Sequence, residues 1–509
     1  MEIIDSLLIG LDAALNPTVL LYCFLGVFLG TFVGVLPGIG PLAAISLLLP
    51  ITYYIDATSA IVMLAGVYYG AEYGGSTASI LLNLPGTTAN AVTCLDGHPM
   101  AKQGRAGVAL FMTTIASLVG GIVGVMALVL FSHAIVDLAM QFGPAEYFAL
   151  MVLGLIAAST LASGSPAKGM AMVVLGLLLG TVGTDINSGI ARFDFGIVKM
   201  QDGISLVVLA MGLFGIAEIV SSISNKHERR VTQKITMRSM MPTREDVKQS
   251  VMPMTRGAGL GGFFGSLPGT GAAISAFVAY AVEKKVAKDP SRFGKGAIEG
   301  ITAPEAANNA AAQSAFIPTL TLGIPGSATM AIMLGALIIH GIEPGPLLMS
   351  EQPALFWGLI VSFFIGNIML LVLNIPLIGL WVSILNIPYR LLYPAILVFI
   401  VIGVYSVSYS PFDIYLVAMV GVLGVVLSVL RFQAAPLLLG FVLGPLMEEN
   451  LRRALLIARG DLMVFVDRPI SFWLLMLALA IVLWSVFGTV RQFAKEKVLE
   501  RDRAQAQNL

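Results

Sequence analysis

Carboxylate and amide side chains lie within apolar stretches of this 509-residue chain. Glu305 is followed by Asn308 and Asn309, a spacing that puts three polar groups on one face of a helix. Glu72 lies in a second stretch, rich in small residues, four positions before Ser76. A carboxylate inside an apolar helix is costly to bury, so both acids are candidates for ion coupling or substrate contact. The alternative is that both lie at membrane interfaces, paired with Arg or Lys.

Hydroxyl groups follow a Pro-Gly pair in each half of the chain. The first segment, 84–90, reads LPGTTAN, and the second, 324–329, reads IPGSAT. Pro lacks a backbone N–H and Gly permits non-helical conformations, so each pair opens the backbone beside hydroxyls that suit Na⁺ or a carboxylate. The alternative is local bonding of these hydroxyls to helix backbone. The ion or substrate candidates here are Pro85, Gly86, Thr87, Thr88, Pro325, Gly326, Ser327 and Thr329.

A fifteen-residue sequence occurs twice in the chain. Residues 26–40 read GVFLGTFVGVLPGIG and residues 257–271 read GAGLGGFFGSLPGTG, with nine of fifteen positions identical. Glycines at every fourth position predict a helix face that lets a second helix approach closely in lipid. The duplication predicts two internally repeated halves, and paired interruptions of this kind point to a transporter binding site.

Each copy ends in Leu-Pro-Gly-x-Gly, which predicts a break within the helix. Backbone groups freed by a break cannot face hydrocarbon, so they must be buried in protein or line a polar cavity. A helix N-terminus at the break carries partial positive charge and suits a carboxylate. The alternative is a kink packed against its neighbours. The predicted substrate-binding residues are Pro37, Gly38, Gly40, Pro268, Gly269, Thr270 and Gly271, together with the amides Asn308 and Asn309.

The composition indicates which elements position these residues. Hydrophobic residues make up 57% of the chain, charged residues 11%, and the mean hydropathy is +0.90. Soluble domains carry about 25% charged residues, so this chain must reside in a lipid bilayer. We predict an all-α polytopic membrane protein with about 11 to 14 crossing or re-entrant elements and broken-helix Pro-Gly hairpins. The formal net charge of zero gives no reason to expect a nucleic-acid partner.

Charge patterning divides the chain. Clusters of Lys and Arg in the centre and at the C-terminus predict cytoplasmic segments. A further basic cluster at 284–295 also predicts a cytoplasmic position, so segment 251–282 should enter the membrane and return. The predicted divisions are an N-terminal interfacial segment 1–17, a first membrane repeat 18–224, a cytoplasmic basic loop 225–250, a second membrane repeat with C-terminal helices 251–490, and a cytoplasmic tail 491–509.

Several protein classes lack their signatures in this sequence. An intramembrane enzyme would need a constellation such as H-E-x-x-H, but the four histidines are scattered. The sequence has no G-x-x-x-x-G-K-[ST] motif for ATP, and two cysteines are too few for a disulfide framework or a thiolate metal site. We therefore expect no enzyme activity, no cofactor and no metal beyond a transported Na⁺. A channel or scaffold without ion coupling is the remaining alternative.

Four motifs together resemble a known family. They are the two Leu-Pro-Gly-x-Gly segments, the NLPGTT segment at 83–88, and the polar loop DGHPMAKQG at 96–104. In this combination the chain closely resembles TctA, the large membrane subunit of the tripartite tricarboxylate transporters, over nearly its whole length. One position departs from the expected pattern, because His98 stands where an aromatic residue, usually Tyr, is expected.

The resemblance implies features that composition does not. TctA-like subunits work with a small four-helix membrane subunit (TctB-like) and a periplasmic solute-binding protein (TctC-like). Transport is secondary and driven by an ion gradient, Na⁺ or H⁺, and the substrates are mostly carboxylates such as citrate. The chain is therefore expected in the bacterial inner membrane as a multi-pass permease subunit. Apart from the resemblance, the repeated breaks favour an elevator-like motion of a unit that contains the broken-helix tips.

Overall fold

The computed structural model describes residues 3–36, 39–161, 165–185, 188–217, 219–220, 235–267, 269–385 and 389–485. Three of the predicted substrate-binding residues lie outside the described residues, namely Pro37, Gly38 and Pro268. The predicted cytoplasmic tail 491–509 and the first ten residues of the predicted basic loop also lie outside them.

Helices form nearly all of the described structure. In chain order they are α1 (Ile3–Ala14), α2 (Pro17–Val35), α3 (Pro41–Thr52), α4 (Ala57–Leu82), α5 (Thr93–Lys102), α6 (Ala106–Ala139), α7 (Pro144–Leu161), α8 (Pro166–Gly180), α9 (Leu206–Ala210), α10 (Arg244–Gly265), α11 (Gly271–Val286), α12 (Glu299–Ser314), α13 (Phe316–Leu322), α14 (Ala328–Ile339), α15 (Leu348–Glu351), α16 (Pro353–Asn374), α17 (Ile378–Ile384), α18 (Tyr389–Ser408), α19 (Pro411–Val429), α20 (Ala434–Ile457), α21 (Val464–Asp467) and α22 (Pro469–Ser485). A two-stranded hairpin pairs β1 (Gly183–Thr184) with β2 (Ala191–Arg192), and a π-helical turn, Met211–Ile216, continues α9.

The apolar helices confirm the predicted class, an all-α multi-pass membrane protein. Within the described ranges, α2, α6, α16 and α19 are long and apolar enough to cross a bilayer. Seven shorter apolar helices of 10–17 residues accompany them. Each residue in a helix bonds its backbone within its own segment, which is what lipid requires. The repetition of two complete halves stays a prediction.

All four Pro-Gly motifs interrupt helices, as predicted. The Leu-Pro-Gly-x-Gly segments separate α2 from α3 and α10 from α11. The other two motifs follow α4 and α13, where Asn83 and Gly323 end the helices with left-handed φ values of 58° and 68°. Each of these residues stands two positions before its Pro, so the two segments share one local geometry.

The repeated glycines bring two pairs of helices into close contact. A Cβ atom at any of the three glycines of α2 would lie 2.2 to 2.5 Å from a backbone oxygen of α4. In α10, a Cβ at Gly257 or Gly261 would lie 2.1 Å from a backbone oxygen of α12. Only Gly permits this approach, and such contacts drive helix association in lipid. Both copies of the repeated sequence therefore make the same kind of contact.

Replacing Gly261 by Ala will lower the stability of the folded protein, because the added methyl group meets the Ala307 carbonyl. Overpacking of this kind costs about 1–3 kcal/mol. The matched control is Gly262→Ala in the same helix, where nothing lies within 4 Å of the added atom. Thermal unfolding in detergent should show a lower Tm for Gly261→Ala alone, and equal Tm values for both variants would contradict the contact.

Helices α10 and α11 form a helical hairpin. Arg256, in the second half of α10, pairs with Glu283 near the end of α11, with an N–O distance of 2.6 Å. After the end of α11, Arg292 donates to Gln249 in the second turn of α10 over 3.2 Å. Segment 251–282 therefore folds back on itself at the Leu-Pro-Gly-x-Gly break, and its entry into the membrane and return stay a prediction.

Cysteines at Met241 and Lys288 will therefore react with a membrane-impermeant thiol reagent from the same side of the membrane. Both side chains are exposed, and a background with Cys23 and Cys94 changed to Ser removes native thiols. Labelling in intact cells and in inside-out vesicles shows from which side of the membrane each cysteine reacts. Labelling of the two cysteines from opposite sides would reject the hairpin.

The chain divides into two compact units, each built from segments of both halves. The first contains Met1–Gln141 and Ile204–Leu430, and the second contains Phe142–Gly203 and Arg431–Leu509. In the second unit α8 packs closely on α20, because a Cβ at Gly176 would lie 2.0 Å from the Leu437 carbonyl. Every predicted site residue belongs to the first unit. The division into compact units thus differs from the sequence-based division into consecutive repeats.

The N-terminal helix α1 packs along α16. A Cβ at Gly10 would lie 2.4 Å from the Trp357 carbonyl, while Ile4 and Leu8 on another face are exposed. One side of α1 therefore contacts protein and another remains apolar and open, as expected of a helix at a membrane interface.

Candidate functional site

The buried Glu305 carboxylate accepts hydrogen bonds from three side chains. Asn90 Nδ2 donates to Oε1 over 2.9 Å, and the Thr93 hydroxyl donates to the same oxygen. Asn308 Nδ2 donates to the other oxygen over 3.3 Å. Asn90 and Thr93 lie more than 200 positions away, in the segment that follows the first-half Pro-Gly motif. Glu305 therefore joins the two halves of the chain, and the alternative of an interfacial acid paired with Lys or Arg is wrong for it.

The second acid, Glu72, connects to the same network through Thr87. The Thr87 hydroxyl lies 2.9 Å from Glu72 Oε2 and 2.7 Å from Asn90 Oδ1. A threonine hydroxyl has one proton, so both contacts are satisfied only when Glu72 carries a proton and donates it. The Asn90 amide also donates to the Glu72 carbonyl over 3.3 Å. A continuous chain of hydrogen bonds thus runs from Glu72 through Thr87 and Asn90 to Glu305.

The four breaks lie close to one face of α4. A Cβ at Gly86 would lie 2.1 Å from the Gly34 carbonyl, at the end of the helix before the first break. In the other half, Gly269 donates its backbone N–H to the Gly326 carbonyl over 2.8 Å. The next residue, Ser327, lies against the Tyr68 hydroxyl, one helical turn from Glu72. The tips of both halves therefore meet α4 at neighbouring turns.

Two helices that begin at the breaks lack side-chain caps. Helix α3 begins after Gly40 and α11 begins after Thr270, and neither preceding residue caps its helix with a side chain. The Thr270 hydroxyl instead lies within hydrogen-bonding distance of the Phe264 and Leu267 carbonyls. Both ends are partly exposed. Free N-terminal N–H groups of this kind suit a carboxylate, and substrate binding at these ends stays a prediction.

The positive φ values at the second break explain its glycines. Gly269 has φ 84° and Gly271 has φ 61°, a region that residues with a side chain rarely adopt. By contrast, Gly40 has φ −48°. The requirement for Gly at the second tip is therefore conformational.

Several predicted residues play local roles. The Ser76 hydroxyl donates to the Tyr73 carbonyl over 2.9 Å, and the Ser327 side chain caps α14 by accepting from Met330 N. Thr88 is exposed, whereas Thr329 is buried. The Ser327 contact fits the alternative of local hydroxyl bonding, although Ser327 also faces Tyr68, and its role towards substrate or ion stays a prediction.

Sequence reasoning did not select Asn90 or Thr93, although Asn90 ends the segment LPGTTAN. It also missed Asp96, which is completely buried. Asp96 Oδ1 accepts three backbone N–H groups, from Gly294, Gly296 and Ala297, each over 2.8 Å. Asp96 lies within α5, so most of the segment 96–104 that was predicted as a polar loop is helical, and the Asp96 carboxylate ties α5 to the segment before α12. The sequence does contain a signal for Asp96, because this acid lies between the Pro85-Gly86 motif and the basic residues Lys102 and Arg105.

Residues suited to holding a transition metal are absent from the described part of the chain, where no group of three or more His, Cys, Asp or Glu side chains comes together. The polar groups of the site are carboxylates, amides, hydroxyls and backbone N–H groups. Groups of these kinds bind small anions and alkali cations.

One family model and two relatives match the sequence of this chain. The model of the tripartite tricarboxylate transporter TctA family matches residues 20–439. An uncharacterised 52.8 kDa protein of the TAR-I ttuC′ 3′ region of Agrobacterium vitis is 49% identical over 502 residues, which cover 99% of this chain and all of that protein. An uncharacterised protein of the TAR-II ttuC′ 3′ region of the same organism is 53% identical over 242 residues, which cover 48% of this chain and all of that protein. No solved structure matches the chain. This chain, a transporter component, therefore belongs to the tripartite tricarboxylate transporter TctA family.

Proposed function

We propose that this chain is the large permease subunit of a binding-protein-dependent secondary transporter that imports small carboxylates with Na⁺ or H⁺. The observation that carries the proposal is the buried hydrogen-bond chain from Glu72 to Glu305, which lies beside the breaks of both halves. Transporter sites are built from such interrupted helices near the membrane midplane. Membership of the TctA family supports a role in transport.

In this proposal the substrate carboxylate lies at the uncapped N-termini of α3 and α11. The N–H groups there supply partial positive charge without placing a cation in the membrane. The hydroxyls of Thr87 and Ser327 lie at the neighbouring tips and contact the substrate or the coupling ion. An elevator-like movement of the tips then exposes the site to the cytoplasm.

The proposed partners are a TctB-like four-helix membrane subunit and a TctC-like periplasmic solute-binding protein, which delivers the carboxylate. The proposed location is the bacterial inner membrane, with the central loop and the C-terminus in the cytoplasm. The excess of Lys and Arg in the central loop supports this orientation. Arg105, just before α6, pairs with Asp246 inside that loop segment and belongs to the same side.

Uptake into proteoliposomes tests the proposal. The vesicles contain this chain and its small partner, and the binding protein is added outside with its radiolabelled carboxylate. Concentrative uptake should require an imposed Na⁺ or H⁺ gradient and should stop when an ionophore collapses it. Uptake that continues undiminished after collapse would instead identify a channel.

A further inference from the structure

Three buried amide side chains face one stripe of α6. The stripe consists of Ser117, Gly121 and Gly124, which lie on the same face of the helix. Asn309 Nδ2 donates to the Ser117 hydroxyl over 2.8 Å. A Cβ at Gly121 would lie 2.3 Å from Asn367 Oδ1, and a Cβ at Gly124 would lie 3.1 Å from the Cβ of Gln313. We call Ser117, Asn309, Gln313 and Asn367 the amide cluster.

Polar atoms in the amide cluster lack partners. Asn309 Oδ1 and both Gln313 side-chain atoms, Oε1 and Nε2, have no hydrogen-bond partner among the described residues. Both residues are completely buried. Leaving such a group unsatisfied costs about 1–3 kcal/mol, so buried polar atoms without partners indicate a bound water or ion. Two unpaired oxygens one helical turn apart on α12 require an explanation.

The orientation of the Asn309 amide is fixed by its other contacts. Its nitrogen donates to Ser117 Oγ, to the Glu305 carbonyl over 3.0 Å and towards Asn308 Oδ1. Turning the amide would put its oxygen against two acceptors, Glu305 O and Asn308 Oδ1. The Asn309 side-chain atom without a partner is therefore the oxygen. A cation can be its partner, whereas another acceptor cannot.

Negative charge lies next to the amide cluster. The Ser117 hydroxyl, which accepts from Asn309, also lies against the Glu305 carboxylate. Divalent cations prefer several carboxylates, but the amide cluster offers neutral oxygens and one carboxylate beside them. Neutral side-chain and carbonyl oxygens near a single negative charge suit a monovalent cation, and unwound transporter helices coordinate Na⁺ in this way.

We propose that the amide cluster binds Na⁺, with Asn309 Oδ1 and Gln313 Oε1 as ligands and Asn367 Oδ1 beside them. The inference rests on the proposed function, because it names Na⁺ as a coupling ion and gives it a site separate from the carboxylate. The lack of a side chain at Gly121 lets Asn367 approach α6 at this level, since a Cβ there would lie 2.3 Å from Asn367 Oδ1. The Ser117 hydroxyl connects the ion to Glu305.

The test measures Na⁺ binding to the purified chain without substrate or binding protein. Thermal unfolding in detergent is recorded in NaCl, KCl and choline chloride at equal ionic strength, and ²²Na⁺ binding is counted directly. NaCl alone should raise the Tm of the natural protein. Gln313→Leu, which keeps the volume but removes the oxygen, should weaken ²²Na⁺ binding at least tenfold. Gln249→Leu, at a partly exposed position outside the amide cluster, is the matched control and should bind as the natural protein does.

The outcomes separate the two proposals. A natural protein without sodium-specific stabilisation and without ²²Na⁺ binding would overturn the site and leave water as its occupant. Equal ²²Na⁺ affinity in Gln313→Leu would also overturn it. Should Gln313→Leu fail to fold, Ser117→Ala removes a single hydroxyl and is expected to weaken binding as well, and unchanged affinity there would count against the site. Na⁺ binding without any carboxylate uptake would instead contradict the proposed function.

Discussion

Replacing Glu305 by Gln will abolish concentrative carboxylate uptake while the protein still inserts into the membrane. Glu305 acts only as an acceptor, taking hydrogen bonds from Asn90, Thr93 and Asn308. A Gln side chain places an N–H₂ group where one oxygen stood, so a donor meets a donor. A buried donor left without its acceptor costs about 1–3 kcal/mol. The substitution also breaks the hydrogen-bond chain that connects Glu305 to Glu72 through Asn90 and Thr87.

Two further variants make the Glu305 result specific. Glu299→Gln removes an acid at the start of the same helix, where it pairs with the exposed Arg292. Surface pairs contribute about 0–1 kcal/mol, so uptake should remain near normal. Glu72→Gln should keep the fold, because an amide donates to Thr87 as a protonated carboxyl does. Rates are measured per folded transporter, and normal uptake by Glu305→Gln would contradict the role of the network.

Replacing Gly269 by Val will also abolish uptake. Gly269 has φ 84° and donates its N–H to the Gly326 carbonyl, which joins two broken-helix tips. A left-handed conformation costs a residue with a side chain about 1–2 kcal/mol, and a β-branched residue fits there poorly. The tip must shift, and with it the N-terminus of α11.

The matched control for Gly269 is Gly104→Val. Gly104 also has a left-handed φ of 79° but lies in the polar loop after α5, with nothing within 4 Å of an added Cβ. The Gly104→Val substitution therefore has a similar cost in backbone free energy but does not displace a broken-helix tip. Uptake of radiolabelled carboxylate, divided by the amount of folded protein, should be lost in Gly269→Val and retained in Gly104→Val. Equal uptake by both variants would contradict a role of the Gly269 tip in transport.

Local rules predicted the breaks and the close helix contacts. Pro and Gly act on their own backbone, so each Leu-Pro-Gly-x-Gly segment predicted a helix end without any knowledge of the surroundings. Glycines at every fourth position predicted close packing because one helix face presents them together. The basic cluster at 284–295 predicted the hairpin, which Arg256 and Glu283 confirm.

Long-range pairing could not be predicted in this way. Asn90 and Glu305 are 215 positions apart, and no local pattern joins an amide to a carboxylate at that distance. The two acids also occupy different positions in their halves, since Glu72 lies 13 residues before Pro85 and Glu305 lies 20 residues before Pro325. The difference amounts to about two helical turns. The site is therefore asymmetric, although the breaks that surround it match.

The most direct measurement is an experimental structure of this chain with its small partner and a bound carboxylate. The account predicts the carboxylate within hydrogen-bonding distance of backbone N–H groups at the start of α3 or α11, in a space also bounded by Thr87 and Ser327. A carboxylate bound elsewhere, with both Leu-Pro-Gly-x-Gly breaks closed by packed side chains, would contradict it.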